Sequence, residues 1–383
     1  MKKYESFSNK VINHLEEPMF LGQGQNVARY DQQKHPFFER LIDKQLSQFW
    51  RPEEVAIERD YRDWKTLTSS EKHIFISNLK RQSLLDSVQG RSPNVAFLPI
   101  TTIPELETWI ENWAMNETIH SRSYTYIIRN LFNEPDKVFD SIMINDNIVG
   151  SAKQITKNYD DLIEYNALVQ LYGHNKVTHN GKEIDLTFKE HLKKIYLTLA
   201  SVNNLEGLRF YVSFACSWAF NERELMEGNS KIISLIARDE NLHLSGTQYM
   251  LNNFAEEYGT LGQQIVDECR DDVLKIYDEA VKDEKAWAAY LFKDESMIGL
   301  NYKLLSSYVE YIANLRLMAI GFEPRYETME NPLDWTNKYI SQKSGGNTVQ
   351  VAPQETEISS YLIGQVDNNV SNDSFKNFDL DNA

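Results

Sequence analysis

The chain has 383 residues, 42% of them apolar, and a formal net charge of −16, which argues against a general affinity for nucleic acid. No run of eighteen apolar residues is present to span a membrane, and the first stretch, MKKYESFSNKVINHLEEP, lacks the apolar centre of a signal peptide. Two cysteines, Cys216 and Cys269, exclude a disulfide scaffold and a cysteine-ligated metal, and they fit a reducing cytoplasm.

Residues 1–35 carry few periodic apolar positions and read as an irregular arm. Helical periodicity dominates from about residue 68 to 340. The first long helix is expected from Ser69-Ser70 to about Gly90, and the second from just after Thr102, with Pro104 in its first turn, to about Asn133. A third covers roughly 142–172. NKVTHNGKEIDLTF then alternates around Asn180-Gly181, a hairpin signal. Helices follow near 188–225 and 229–257, and three more are expected between 260 and 320. From Ser341 the composition turns rich in Asn, Ser, Gly and Asp. The chain therefore divides into a body, 1–340, and a tail, 341–383, expected to be disordered in isolation. SSYLIG and NFDL are apolar islands within that tail, suited to docking on a partner.

Acids interrupt the apolar stripes of four long helices. The stripe Trp109, Trp113, Glu117, His120, Tyr124, Ile127 places Glu-x-x-His on the inner face of the second. Glu240 and His243 repeat that spacing among Ile233, Ile236, Thr247 and Met250. Glu206 lies in a helix apolar nearly all round, and Asp86 follows Phe75, Leu79 and Gln82. A Glu-x-x-His on an exposed face is ordinarily a solvated contact of a few tenths of a kcal/mol. Buried, each carboxylate costs several kcal/mol unless it is paired or bound to a metal. Four carboxylates and two neutral imidazoles balance two divalent ions. One acid from each of two helices, and a Glu-x-x-His from each of two others, resembles the ligand pattern of ferritin-like di-iron and di-manganese proteins, with Asp86 where the general pattern has Glu. The expected fold is all-α: a ferritin-like bundle with a dinuclear metal site in a four-helix core, plus one small β-hairpin. Oxygen and nitrogen donors suit iron or manganese.

Further motifs narrow this. NETIHSRSYTYIIRN, EGLRFYVSFA, ARDENLH, QFWRPEE and QGRSPNVA together resemble the small, beta subunit of class Ia ribonucleotide reductase, of the enterobacterial and bacteriophage type, from about residue 18 to the C-terminus. The resemblance implies that Asp86 and His120 ligate one iron and Glu206 and His243 the other, with Glu117 and Glu240 bridging. It implies that Tyr124 becomes a stable radical after reaction with O2, inside an apolar pocket of Phe210, Phe214 and Ile236. Trp50 and Asp239 would begin radical transfer. Glu355 and Tyr361 in the tail would continue it to the large, alpha subunit, which reduces ribonucleoside diphosphates and on which the tail docks. A homodimer is implied too. The chain has no phosphate-binding glycine loop of its own. Two other readings compete: a di-metal oxidase or ferroxidase without a radical, which would not need Tyr124, and a metal-free helical interaction protein, which leaves the four inner acids unexplained.

Overall fold

The computed structural model describes residues 9–24, 26–293, 297 and 299–340. Among them, thirteen α-helices and one hairpin follow the order α1 (Pro36–Ser47), α2 (Glu58–Thr66), α3 (Ser69–Gln89), α4 (Ser92–Phe97), α5 (Pro104–Leu131), α6 (Pro135–Asp140), α7 (Asp146–Tyr172), β1 (Lys176–His179), β2 (Lys182–Asp185), α8 (Phe188–Asn204), α9 (Tyr211–Asn221), α10 (Glu227–Glu268), α11 (Arg270–Leu291), α12 (Tyr302–Ala319) and α13 (Asn337–Ile340). None of the described helices is long and apolar enough to cross a membrane.

Local chemistry explains the boundaries. A capping box opens α3: the Glu71 amide donates to Thr68 Oγ1 at 3.2 Å, and the Thr68 amide donates to Glu71 Oε2 at 2.9 Å. Pro104 opens α5, where its missing N–H costs nothing. Asn180 (φ 50°) and Gly181 (φ 74°) both turn left-handed, as a two-residue hairpin needs, and pair Val177 with Ile184 and His179 with Lys182. The bundle interior is formed where α3 runs along α5 and α8 along α10, with α9 packed on both α10 and α3. Tyr211 to Phe220 of α9 are all buried, the pattern of a central helix.

The structure departs from the sequence expectations in three places. The helix expected over 188–225 is three pieces: α8, a π-helical stretch Leu205–Arg209, and α9. One extra residue per turn leaves no mark on a run that is apolar on every side, so periodicity could not report it. The helix expected to end near 257 continues to Glu268, bent at Gly259 (φ 59°, ψ −136°), a conformation open to glycine; its second limb, α11 and α12 make up the three helices expected between 260 and 320. Helices α1 and α2 lie in a segment given no assignment, although Phe38, Leu41, Ile42 and Gln45 mark the buried stripe of α1. The arm is indeed without helix over 9–24 and 26–35. It is held to α10, where the Met19 amide donates to Glu257 Oε1 at 2.8 Å and the Tyr258 hydroxyl to the Phe20 carbonyl at 3.0 Å.

One buried histidine makes the scaffold acid-sensitive. His191 of α8 lies 2.6 Å from Asn166 Oδ1, and the Asn166 amide donates to the Ala96 carbonyl at 2.8 Å, so the ring presents an N–H to the oxygen. Burial, then the charges of His174 and Lys194, depress its pKa from 6.5 to about 3. Between those values the unfolded chain binds a proton that the folded chain does not. The contribution of His191 to stability is therefore complete above pH 6.5 and falls as pH drops through the window, by up to about 1.4 kcal/mol per pH unit. His191→Gln keeps a donor and cannot titrate. Urea unfolding between pH 7 and 4 is expected to show a shallower pH dependence for this variant than for the parent.

Candidate metal centre

Six residues converge at the middle of the bundle. Helix α3 supplies Asp86, α5 supplies Glu117 and His120, the π-helical stretch supplies Glu206, and α10 supplies Glu240 and His243. All six are at most 1% exposed. Asp86, Glu117, His120 and Glu240 form one cluster whose ligand atoms all lie within 4.8 Å of one another, and Glu117, Glu206, Glu240 and His243 form a second. Glu117 and Glu240 belong to both, so the two clusters could hold two neighbouring ions.

The detailed contacts fit that reading. His120 Nε2 lies 3.2 Å from Asp239 Oδ2, while its Nδ1 lies 3.3 Å from Glu117 Oε2 and 3.2 Å from Glu240 Oε1. An N–H donated outward to a carboxylate, with the other nitrogen turned inward, is how metal-binding imidazoles are held. His243 Nδ1 lies 2.9 Å from Glu117 Oε1 and 3.5 Å from Glu240 Oε2. Both oxygens of Asp86 and of Glu240, Glu117 Oε2, Glu206 Oε2 and Nδ1 of each histidine are buried without a hydrogen-bond partner. That many orphaned donor atoms converging on one point would be costly in a purely structural cluster, and a pair of divalent cations satisfies them together.

Electrostatics tell the same story. Burial, and then the charges of Glu117 and Glu240, push Asp86 and Glu206 well above the usual carboxylate range. Burial acts upward on Glu117 too, but His243 and His120 hold it down to about 2. Burial acts downward on His243, yet Glu117 and Glu240 lift it to about 9. Without metal, the acids and histidines compensate one another with protons that bound cations would displace.

Tyr124 lies one turn beyond His120, completely buried. Burial, then the charge of Asp86 and the contact of the hydroxyl with that carboxylate, raises its phenol well above its ordinary pKa. Phe210, Phe214 and Ile236 are fully buried, and the two phenylalanine rings stack at 5.7 Å. Trp50, also fully buried, donates from Nε1 to Asp239 Oδ2 at 2.8 Å, the same oxygen that meets His120. The order Trp50–Asp239–His120 is thus a continuous chain of contacts. Glu355 and Tyr361 lie outside the described residues.

Three further residues support the site: Trp113, which the sequence marks only as part of the apolar stripe, and Gln89 and Tyr159. Trp113 donates to Glu117 Oε1 at 3.1 Å. Gln89 donates to Glu206 Oε1 at 2.8 Å and in turn accepts from the Tyr159 hydroxyl at 2.9 Å. Spacing offered a clue for two of them, since Gln89 follows Asp86 by three and Trp113 precedes Glu117 by four. Tyr159 comes from α7 and carried no such signal.

Comparison with known proteins bears on this site. Residues 28–332 match the family described as "Ribonucleotide reductase, small chain". The sequence is 55% identical, over 98% of this chain and 100% of the relative, to the ribonucleoside-diphosphate reductase subunit beta of Buchnera aphidicola. It is equally 55% identical, with the same coverage, to the ribonucleoside-diphosphate reductase 1 subunit beta of Escherichia coli. Among solved structures, the ribonucleotide reductase R2 subunit from Clostridium botulinum superposes with a TM-score of 0.74 at 25% identity, covering 89% of this chain and 99% of that one.

Proposed function

The chain belongs to the ribonucleotide reductase small-chain family, and from that premise we propose that its buried centre generates and stores the radical on which reduction of ribonucleoside diphosphates by the large subunit depends. The fold is the ferritin-like helical bundle, and the activity is that of a ribonucleoside-diphosphate reductase beta subunit. The observation that carries the radical reading is the pair of metal-binding clusters sharing Glu117 and Glu240, with Tyr124 on the next turn of the same helix.

Asp86 and His120 would hold one ion, Glu206 and His243 the other, and Glu117 and Glu240 would bridge. Oxygen and nitrogen donors suit iron, with manganese the alternative. When bound, two iron ions supply, with O2, the one-electron oxidation of Tyr124. The chain's own contribution is the environment. A fully buried phenol beside Asp86 resists losing its proton to solvent, and the apolar side chains of Phe210, Phe214 and Ile236 would keep water and hydrogen donors away from the oxidised ring. Asp239 fixes the orientation of His120 and accepts a hydrogen bond from the indole N–H of Trp50, so the three groups offer a route by which an electron and a proton from the partner's side would reach the oxidised centre as the radical passes outward.

The remaining steps involve the tail. Residues 1–340 act as the radical-generating body, and 341–383, with Glu355 and Tyr361, as the segment that docks on the large subunit and relays the radical to it. The body would work as a homodimer, and Cys216 and Cys269, free and buried, suit the cytoplasm. The test separates the two parts. Metal-free protein loaded anaerobically with Fe(II) and exposed to O2 is expected to give a tyrosyl paramagnetic resonance signal, both in the full chain and in a chain ending after Asn347. With the large subunit added, the full chain is expected to reduce ribonucleoside diphosphates and the shortened one to fall to background. Iron oxidation without any radical would shift the assignment to a di-metal oxidase, and activity in the shortened chain would refute the role of the tail.

A further inference from the structure

Glu206 is the one proposed ligand carried on non-α backbone, since Leu205–Arg209 is π-helical. A π turn widens the helix, and its carbonyls sit less well in the helical ladder than those of an α turn. Two arginines meet these carbonyls. Arg316 of α12 donates from Nε to the Gly207 carbonyl at 3.0 Å and from Nη2 to the Tyr211 hydroxyl at 2.6 Å. Its fork thus spans the π stretch from Gly207 to Tyr211, the first residue of α9, and its guanidinium lies over the Tyr211 ring at 5.2 Å. Arg81 of α3 donates to the Arg209 carbonyl at 3.3 Å, and Arg209 itself donates to Asp283 Oδ2 at 2.5 Å.

Gly207 makes the Arg316 contact possible. A Cβ at that position would lie 2.9 Å from Leu244 Cδ1 and 3.1 Å from Arg316 Cδ, so any larger residue would press the arginine stem away from the carbonyl. The residue beside Glu206 is therefore seated directly beneath a cation that also grips the next turn. We propose that Arg316 is a positioning residue for the metal centre: by bridging Gly207 and Tyr211 it holds the π register of Leu205–Arg209 and so fixes where Glu206 presents its carboxylate. This rests on the reading of Glu206 as a metal ligand.

The contact acts on one side of the centre only. Asp86 and His120 stand on α3 and α5, whose backbone Arg316 does not touch, while Glu206 rides on the stretch it grips. Loosening the stretch should therefore weaken the ion held by Glu206 and His243 and spare the other. Gln89 still holds one Glu206 oxygen, so the effect is a weakening rather than a loss.

The experiment uses the full-length, metal-free protein titrated with Co(II) and followed by its visible absorption. Arg316→Met keeps the packed stem and removes the fork. It is expected to weaken the second equivalent of metal about tenfold, in line with the loss of a group supporting a ligand, while the first equivalent is unchanged. Tyr211→Phe, which removes one anchor of the fork, is expected to give a smaller effect of the same kind, and Arg316→Lys a partial recovery. Hydrogen exchange of the metal-free protein supplies a readout independent of metal: amides across 206–212 are expected to exchange about tenfold faster in Arg316→Met, with the rest of the bundle unchanged. Equal weakening of both equivalents with a general loss of protection would overturn the proposal in favour of a structural role. So would unchanged second-equivalent binding and unchanged exchange. Glu206→Ala is the control. If it leaves the second equivalent intact, the ligand assignment fails and this proposal with it, whereas a strong Glu206→Ala effect beside a silent Arg316→Met overturns the positioning role alone.

Discussion

Tyr124→Phe is expected to abolish the radical and the reductase activity that depends on it while leaving the metal centre intact. The substitution deletes one hydroxyl from a fully buried ring, where its neighbour is the Asp86 carboxylate. The change removes only the contact of that hydroxyl with Asp86, so the melting temperature should move by a few degrees at most. All six candidate ligands remain, and iron uptake should stay at the parental stoichiometry. Paramagnetic resonance after exposure to O2 should then show no tyrosyl signal, and ribonucleoside diphosphate reduction with the large subunit should drop to background. A persistent signal of normal intensity would mean that the radical resides on another tyrosine. A lost signal together with lost iron would mean that Tyr124 matters for assembly of the site instead.

Glu117→Ala should weaken metal binding more than the loss of a ligand that serves one cluster alone. Glu117 stands in both clusters, closest of all to His243 and within reach of His120, so its removal opens both sites at once. Metal content should fall from about two per chain to near zero, whereas Glu206→Ala, which touches one cluster, should retain about one. Thermal unfolding offers a second reading of the same change. Ligand present at a thousand times its dissociation constant stabilises a folded protein by about 4 kcal/mol. The upward shift in melting temperature on adding Fe(II) under anaerobic conditions should therefore vanish in Glu117→Ala. The metal-free variant itself should change less. It loses the Trp113 contact and the partner of His243, but it also relieves the repulsion that raises Asp86 and Glu206. Retention of two ions would refute the bridging role.

The candidate ligands could be picked out in the sequence because burial and charge conflict so rarely. A carboxylate inside an apolar helical stripe needs a reason, and Glu117, Glu206, Glu240 and Asp86 each announced themselves that way. Helical spacing of three then tied His120 and His243 to their acids, and the hairpin at Asn180-Gly181 followed from turn chemistry alone. These are local signals, carried by neighbours within a turn or two. What the tertiary structure decided depends on residues far apart in the chain. Which acids are shared follows from how α5 and α10 face each other. The contacts of Trp50 and His120 with one oxygen of Asp239 join three separate segments, and Tyr159 reaches the site through Gln89 from a helix with no marked position. The π-helical stretch was hidden because a run buried on every side has no polar face to reveal an inserted residue. Periodicity reports which side of a helix meets the core. Only packing decides which atoms meet there.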